Sequence, residues 1–459
     1  MLSCTAKKNV RIQPWPQNPF YWQYNGNPVL LLGGSDDDNL FQWERSSLTR
    51  QLDLLQSVGG NYIRNTMSSR KPGNEEPFLR LDNGLYDLDQ WNPLYWERFE
   101  TLLELAHERD IIVQIEFWDP HDWYRGVAEE TGSGWNYRSF NPANNINYTF
   151  KESGLIPVID WNAVRERARD HPFFHTVYDE KEMDIVLDYQ ERFVRKVVEV
   201  SISYPNVLYC ISNETNNDIA WSLYWLNFIR EIAAGFNVPV YVGEMLVVPS
   251  SDVVLEYGFD FADLSQSASG LHREPGSNFG EGHFITISDE VDKLAANPAP
   301  LNSTKQYGGD LGWTRGPEEG VERFWRTIFG GQASVRFHRP TGGIGLNELS
   351  QANIKSLRMI TDHFDLGKVK PHQKLEHLFL KREPGDAYLM AEEGKSYAVF
   401  FPSSGKEVEL DISALNAEAT VRWLNPNNAQ WHDEKSYEGN SIVLTKPGDG
   451  QWVVQINTR

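Results

Sequence analysis

Cysteine, cationic side chains and long apolar runs are all scarce in this chain. Only two cysteines occur in 459 residues, Cys4 and Cys210, so the sequence offers neither a disulfide framework nor a CxxC metal pattern. Lysine and arginine number 43 against 64 aspartates and glutamates, a formal net charge of -21. A nucleic-acid partner needs a basic stripe to meet its phosphates, and this balance argues against one. No run of about 18 apolar residues is present, so no segment reads as a membrane-spanning helix.

What is present suits a folded chain. Apolar residues make up 40%, enough for a packed core, and charged residues 23%. The length exceeds most single domains, and a barrel of roughly 250 residues or more with one small domain is a natural division.

Periodicity supports that division. Phe20 to Leu32 reads as two strands joined by Asn25-Gly26, a pair that tolerates the positive φ of a type I′ hairpin. Strand and helix signals then alternate. Leu30 to Leu32, Asn61 to Arg64, Ile111 to Glu116, Val207 to Ile211, Val238 to Gly243, Phe259 to Leu264, Pro300 to Tyr307 and Ala333 to Phe337 read as eight strands. Between them lie amphipathic stretches, among them Leu48/Leu52/Leu55, Phe99/Leu102/Leu103/Ala106, Val186/Phe193/Val197/Val200, Ile219 to Ala234, a weaker Glu290 to Ala296, and Val321/Phe324/Trp325/Ile328, with a last helix from about Asn347 to His363. Eight such units predict an α/β fold, the (β/α)8 TIM barrel, over residues 16–368. From about Val369 the period becomes two, and short strands between Gly, Pro and Asn turns predict a small antiparallel β-sandwich over 369–459. Residues 1–15 are left as a tail, and Cys210, inside an apolar run, reads as a small core residue.

In such a barrel the reacting groups belong at the C-terminal ends of the strands. That rule selects Asp36, Asp37 and Asp38, then Arg64, then Glu116 and Asp119, then Asn213 and Glu214, then Glu244, Gln266, Lys305 and Tyr307, and finally His338 and Arg339. A ring of carboxylates around one hollow is what glycosidic hydrolysis requires: one carboxyl protonates the leaving oxygen while another attacks or activates water. Trp118, Trp123, Tyr124, Trp135, Tyr137 and Tyr148 crowd the long stretch after strand three, where flat rings suit the apolar face of a sugar. Arg336 and His338 share a side of strand eight, from which an arginine could grip a sugar carboxylate or sulfate.

Two resemblances bear on these residues. GGNYIR, Gly59 to Arg64, together with a strand ending in Asn213-Glu214, resembles the clan A glycoside hydrolases. The resemblance implies Glu214 as general acid/base, Asn213 on the sugar 2-hydroxyl and Arg64 in support of the nucleophile. The stretch NPFYWQYNGNPVLLLGG and the tail from Ala398 to Trp431 are similar to the apiosidase-like barrels, which implies a carbohydrate substrate. No metal or other cofactor is expected, because neither Asp119-Pro120-His121-Asp122 nor Asp36-Asp37-Asp38 has the spacing of a known cation loop. One departure stands out: Pro300 to Tyr307 holds no acid where that clan has its nucleophile on strand seven. Glu244, on the adjacent strand five, is the first choice for the second carboxylate. Asp36, Asp37, Asp38, Glu116 and Asp119 remain at the wider spacing of an inverting pair, and Tyr307 is a third choice as nucleophile. To act as an acid, Glu214 must keep its proton well above its ordinary value of ~4.3, through burial beside Tyr209, Trp118 or another acid.

Two other classes compete. A metal-dependent sugar isomerase needs histidine ligands that strands five to seven do not supply, and a glycan-binding barrel without catalysis accords with the missing acid. Finally, Met-Leu-Ser-Cys-Thr-Ala-Lys-Lys resembles the junction of a bacterial lipoprotein. It implies a lipid anchor at Cys4 and a periplasmic or cell-surface location, with an incidental cysteine as the alternative.

Overall fold

The structure is a computed structural model that describes residues 10–120, 134–157, 171–178, 183–215, 218–265, 279–309 and 315–458. Eight parallel strands form the barrel: β1 Leu31–Gly34, β2 Tyr62–Thr66, β3 Ile112–Trp118, β4 Val207–Ser212, β5 Val242–Glu244, β6 Phe261–Asp263, β7 Leu301–Asn302 and β8 Ser334–Phe337. They are hydrogen-bonded in the order β7-β6-β5-β4-β3-β2-β1-β8. A parallel bridge from Gln306 to Phe337 joins the chain after β7 to β8 and completes the ring. The alternating helices are α1 Arg45–Ser57, α2 Pro93–His107, α3 Asp184–Ser201, α4 Ile219–Gly235, α5 Asp252–Tyr257, α6 Gly280–Lys293, α7 Gly316–Phe329 and α8 Glu348–Thr361.

Local chemistry accounts for these elements. The longest strands, β3 and β4, are buried along their whole length, as expected of parallel strands covered on both faces. Asn92 caps α2, accepting from Leu94 N at 3.1 Å, and Pro93 starts the helix with its φ already set. Gly33 in β1 is required by close approach, because a Cβ there would collide with the Tyr62 carbonyl oxygen of β2. The N-terminal hairpin forms as predicted. Trp22–Tyr24 pairs antiparallel with Asn27–Val29, and Asn25 (φ 51°) and Gly26 (φ 75°) take the left-handed values a type I′ turn demands.

Some boundaries differ from the sequence reading. β5 covers only the end of the predicted Val238 to Gly243, since Pro239 cannot donate to a ladder. β7 shrinks to two residues. α6 begins ten residues earlier than expected, because its buried face, His283, Phe284, Ile287 and Val291, is interrupted by polar residues that hide the period.

The chain packs into two compact units. One comprises Met1–Asp37, Asp53–Ile63 and Asp263–Arg459; the other comprises Asp38–Leu52 and Arg64–Ala262. The first contains the sandwich, with strands β9 Phe379–Lys381, β10 Tyr388–Glu392, β11 Ser396–Phe401, β12 Glu407–Asp411, β13 Ala419–Asn425, β14 Gln430–Tyr437, β15 Ser441–Thr445 and β16 Trp452–Thr458. They form a three-stranded sheet, β9-β12-β15, and a five-stranded sheet, β10-β11-β16-β13-β14. Leu389, Val399, Val408, Leu410, Val454 and Ile456 lie in its core. The period-two runs Tyr397 to Phe401, Val408/Leu410/Ile412, Thr420 to Leu424, Ser441 to Leu444 and Trp452 to Ile456 match β11, β12, β13, β15 and β16, and leave out β9, β10 and β14. In β14, QWHDEKSY, the polar composition of a protected sheet edge masks the strand.

Within this unit α7 packs on the five-stranded sheet. Trp325 stacks on Phe400 of β11 with ring centroids 5.3 Å apart and planes 7° from parallel, and its indole N–H donates to Asn353 Oδ1 at 2.8 Å. Both rings are fully buried. Trp325→Ala should therefore destabilise the protein by about 3–5 kcal/mol, seen as a lower urea midpoint at unchanged slope.

Candidate active site

The β4 strand does not simply stop; it is diverted. Its pairing with β3 runs from Val113↔Val207 to Trp118↔Ser212, and Asn213 N then donates to Trp118 O at 2.7 Å. Pairing with the chain after β5 resumes one residue beyond Glu214, where Thr215 N donates to Met245 O and Val247 N to Thr215 O, both at 2.9 Å. Across the gap the Glu244 side chain replaces the ladder: its Oε1 accepts from Ser212 N at 3.0 Å and from Met245 N at 2.9 Å. Glu214, between these anchored flanks, has φ 58°. A left-handed conformation at a non-glycine residue costs roughly 1–2 kcal/mol and persists only where the surroundings enforce it. Asn213 and Thr215 are buried, whereas Glu214 is partly open to solvent.

Beneath the bulge lies a chain of charges in the same unit. Asn213 Nδ2 donates to Asp119 Oδ1 at 2.8 Å, and Asp119 is ion-paired with Arg70. Arg70 also lies 3.4 Å from Asp38 Oδ2. Arg64 bridges Asp38 Oδ1 at 3.7 Å and Glu116 Oε2 at 2.7 Å. Among the described residues three carboxylates thus face two guanidinium groups, all held almost entirely out of water. Arg70 was not singled out in the sequence. It lies in an irregular polar loop after β2, and no periodicity points to it.

Glu244 differs from this group. It is 1% exposed, and its pKa is pushed up to about 8, chiefly by burial, with the nearby charge of Glu116 adding to the rise. Hydrogen bonds from Ser222, Met245 and Ser212 oppose that rise without overcoming it. Glu244 is therefore largely neutral at pH 7.

Other predicted residues take different places. Trp118 is 2% exposed and packs among Phe173, Phe193, Trp221 and Trp225, so the expected stacking platform is instead a piece of core. Trp135 and Tyr148 are also buried, their polar ends donating to Ile156 O and Phe140 O. Tyr137, at 39% exposure, is the aromatic of this stretch that reaches solvent among the described residues; Trp123, Tyr124 and Gln266 lie outside them. Tyr209, expected beside Glu214, turns its hydroxyl to Ser201 at 2.7 Å.

In the other unit Arg336 is fully buried. It donates to Thr304 O at 2.7 Å, to Asp37 O at 3.1 Å and to Ser35 Oγ. The anion grip expected of Arg336 is therefore corrected: its donors tie β8 to the chain after β7 and β1. Asp37 is buried there as well. Tyr307 and His338 form a buried ring pair with centroids 4.8 Å apart, and Lys305 is buried too. Among the described residues, no group of three His, Cys, Asp or Glu side chains is disposed to hold a metal ion.

No protein-family model matches the chain. No curated protein matches it in sequence either. Solved structures do match it in shape. A protein described as a glycoside hydrolase shares 11% identity and a TM-score of 0.64, with 98% of this chain and 97% of that one covered. A glycoside hydrolase family 5 protein from Bacteroides vulgatus shares 12% identity and a TM-score of 0.67, covering 98% and 94%. A family 5 mannosidase from Rhizomucor miehei, solved with mannosyl-fructose, shares 12% identity and a TM-score of 0.52 over 77% of this chain and 97% of its own. At these identities the likeness is one of fold, and it agrees with the barrel and trailing sandwich described above.

The state of Glu244 has a consequence for stability. The folded protein keeps a proton that the unfolded chain releases above the ordinary glutamate pKa of 4.5, so this contribution is intact below that pH and is lost as pH rises toward about 8. The loss amounts to about 1.4 kcal/mol per pH unit at most. Urea midpoints measured between pH 5 and 8 should fall with pH in the wild type, and Glu244→Gln should flatten that fall.

Proposed function

We propose that this protein is a glycoside hydrolase acting on a polysaccharide or oligosaccharide, with Glu214 as the general acid. The observation that carries this reading is the bulge after β4: two ladders are anchored on either side of one strained, partly open carboxyl group. Backbone strain of this kind gathers at functional positions. The barrel is also that of solved glycoside hydrolases.

In this reading Glu214 protonates the glycosidic oxygen as the bond to the leaving group breaks. Positive charge then builds on the anomeric carbon and ring oxygen. The carboxylates of Asp38, Glu116 and Asp119, fixed by Arg64 and Arg70, supply preorganised negative groups for that charge in a medium where they are weakly screened. Asn213, next to Glu214 in the chain, is held by Asp119. Asp119, linked to the acid through Asn213, is our assignment for the second catalytic group: as base it takes a proton from the water whose oxygen bonds to the anomeric carbon, and Glu214 regains its proton from solvent. Glu244, the earlier candidate, is neutral near pH 7 and suits the support of the bulge better than attack on carbon. A periplasmic or cell-surface location, with a lipid at Cys4, remains a proposal resting on residues 1–8 alone.

One observation favours a second reading, a glycan-binding barrel without turnover: Pro300 to Tyr307 carries no acid. A single experiment separates the two. Wild type and Glu214→Gln are assayed on a panel of aryl glycosides and polysaccharides, with circular dichroism to confirm folding. Hydrolysis by the wild type that falls roughly 10²–10⁴-fold in the variant is expected. Binding with no sugar released by the wild type would establish the second reading, and full activity in Glu214→Gln would remove its role as acid.

A further inference from the structure

A hollow of about 240 Å³ lies in the loops after β2 and β3, wholly within the unit that contains Glu214. Its loops are pinned by their own hydrogen bonds. Tyr86 N donates to Asn144 O at 2.7 Å, and Asn144 Nδ2 donates to Asn136 O at 2.8 Å and Arg138 O at 2.9 Å. On the opposite rim Asn74 Oδ1 accepts from Lys71 N at 3.0 Å and from Asn39 Nδ2 at 2.9 Å. The hollow is thus formed before any ligand arrives, the usual condition of a small-molecule site.

Its charge is unusual for a chain this acidic. Glu76, the one carboxylate among the described residues of its lining, is neutralised from below: Arg138 Nη1 donates to Oε1 at 2.8 Å, and Ser139 donates to Oε2 through its N–H at 3.1 Å and its hydroxyl at 2.8 Å. Two exposed cations, Lys71 and Arg80, stand in the same lining. Arg80 is steadied by Gly84 O, 3.2 Å from its Nε, and by the Tyr86 ring, whose centroid is 6.0 Å away. Among the described residues no carboxylate forms an ion pair with Arg80, whose side chain is exposed in the lining of the hollow. Two tyrosine rings, Tyr86 and the exposed Tyr137, complete the wall. Aromatic faces suit the C–H face of a pyranose, and guanidinium forks suit carboxylate or sulfate.

We propose that this hollow is a binding subsite for a negatively charged sugar unit, carrying a carboxylate or a sulfate, of the substrate cleaved at Glu214. The proposal rests on the glycoside hydrolase reading for the identity of the polymer. It does not rest on it for the anion preference. A chain with a net charge of -21 repels polyanions over most of its surface, so a local cationic pocket is the place where an acidic polymer gains selectivity.

The test uses Glu214→Gln protein, with and without Arg80→Gln, and calorimetric titration of three probes: an oligogalacturonate, a sulfated galactan oligosaccharide and a neutral manno-oligosaccharide. At least one anionic probe should bind ten times or more tighter than the neutral one, and Arg80→Gln should remove that preference while leaving neutral binding unchanged. The probe that shows the preference distinguishes carboxylate from sulfate. Equal binding of all three, or a preference that survives Arg80→Gln, would overturn the subsite. Wild-type hydrolysis of the same probes is followed in parallel. Anion-selective binding without cleavage supports the subsite while removing the hydrolase, and cleavage without anion preference removes the subsite alone.

Discussion

Two backbone N–H groups meeting on one carboxyl oxygen hold the candidate active site in place. Ser212 and Met245 sit at the ends of neighbouring strands, and both donate to Glu244 Oε1. Left unmatched at that depth, each N–H would cost roughly 1–3 kcal/mol, so the carboxyl group makes it feasible for β4 and β5 to part for a residue or two. Into that gap go Asn213 and Glu214. Seen this way, a buried strand delivers a carboxylate because a second carboxylate, placed one strand over, stands in for the missing ladder.

The charges around the bulge follow from the same economy of burial. Arg64 and Arg70 enter a region with almost no water, and a buried guanidinium without a partner is strongly unfavourable. Asp38, Glu116 and Asp119 answer them. The charge of Glu116 is also one reason why the nearby Glu244 keeps its proton. Structural and chemical roles are therefore hard to separate here: the ion chain that fixes Asn213 also sets the potential a sugar would experience.

Much of the barrel was legible because buried parallel strands announce themselves as apolar runs. β3, β4 and β8 fell where Ile111 to Glu116, Val207 to Ile211 and Ala333 to Phe337 placed them, within a residue or two. Short strands were harder. β5 and β7 owe their positions to the closure of the ring rather than to their own composition, and β14 has the polar sequence of an edge. At the site, the strand-end rule selected Arg64, Glu116, Asp119, Asn213 and Glu244, and the fold places these five in one unit. It failed on depth. Trp118 and Arg336 stand at strand ends too, yet both are enclosed, and a sequence records which residue ends a strand without recording how much chain will cover it. Arg70 shows the converse, a partner contributed by a loop with no pattern of its own.

The N-terminal hairpin carries an implication for how the chain is made. Trp22 donates its indole N–H to Asn302 Oδ1 at 2.9 Å, and Asn302 in turn donates to the Tyr62 hydroxyl at 3.1 Å. Likewise β1 is flanked by β8, whose Ser334 to Phe337 align with Leu31 to Gly34. On a ribosome these partners are separated by some three hundred residues of synthesis, so the first segments to emerge must wait for nearly the last. Contacts this distant slow folding, and the waiting strands expose unpaired apolar edges that invite aggregation or chaperone capture. The stretch from Arg64 to Ala262, compact in itself, has no such delay and is the part of the nascent chain able to consolidate first.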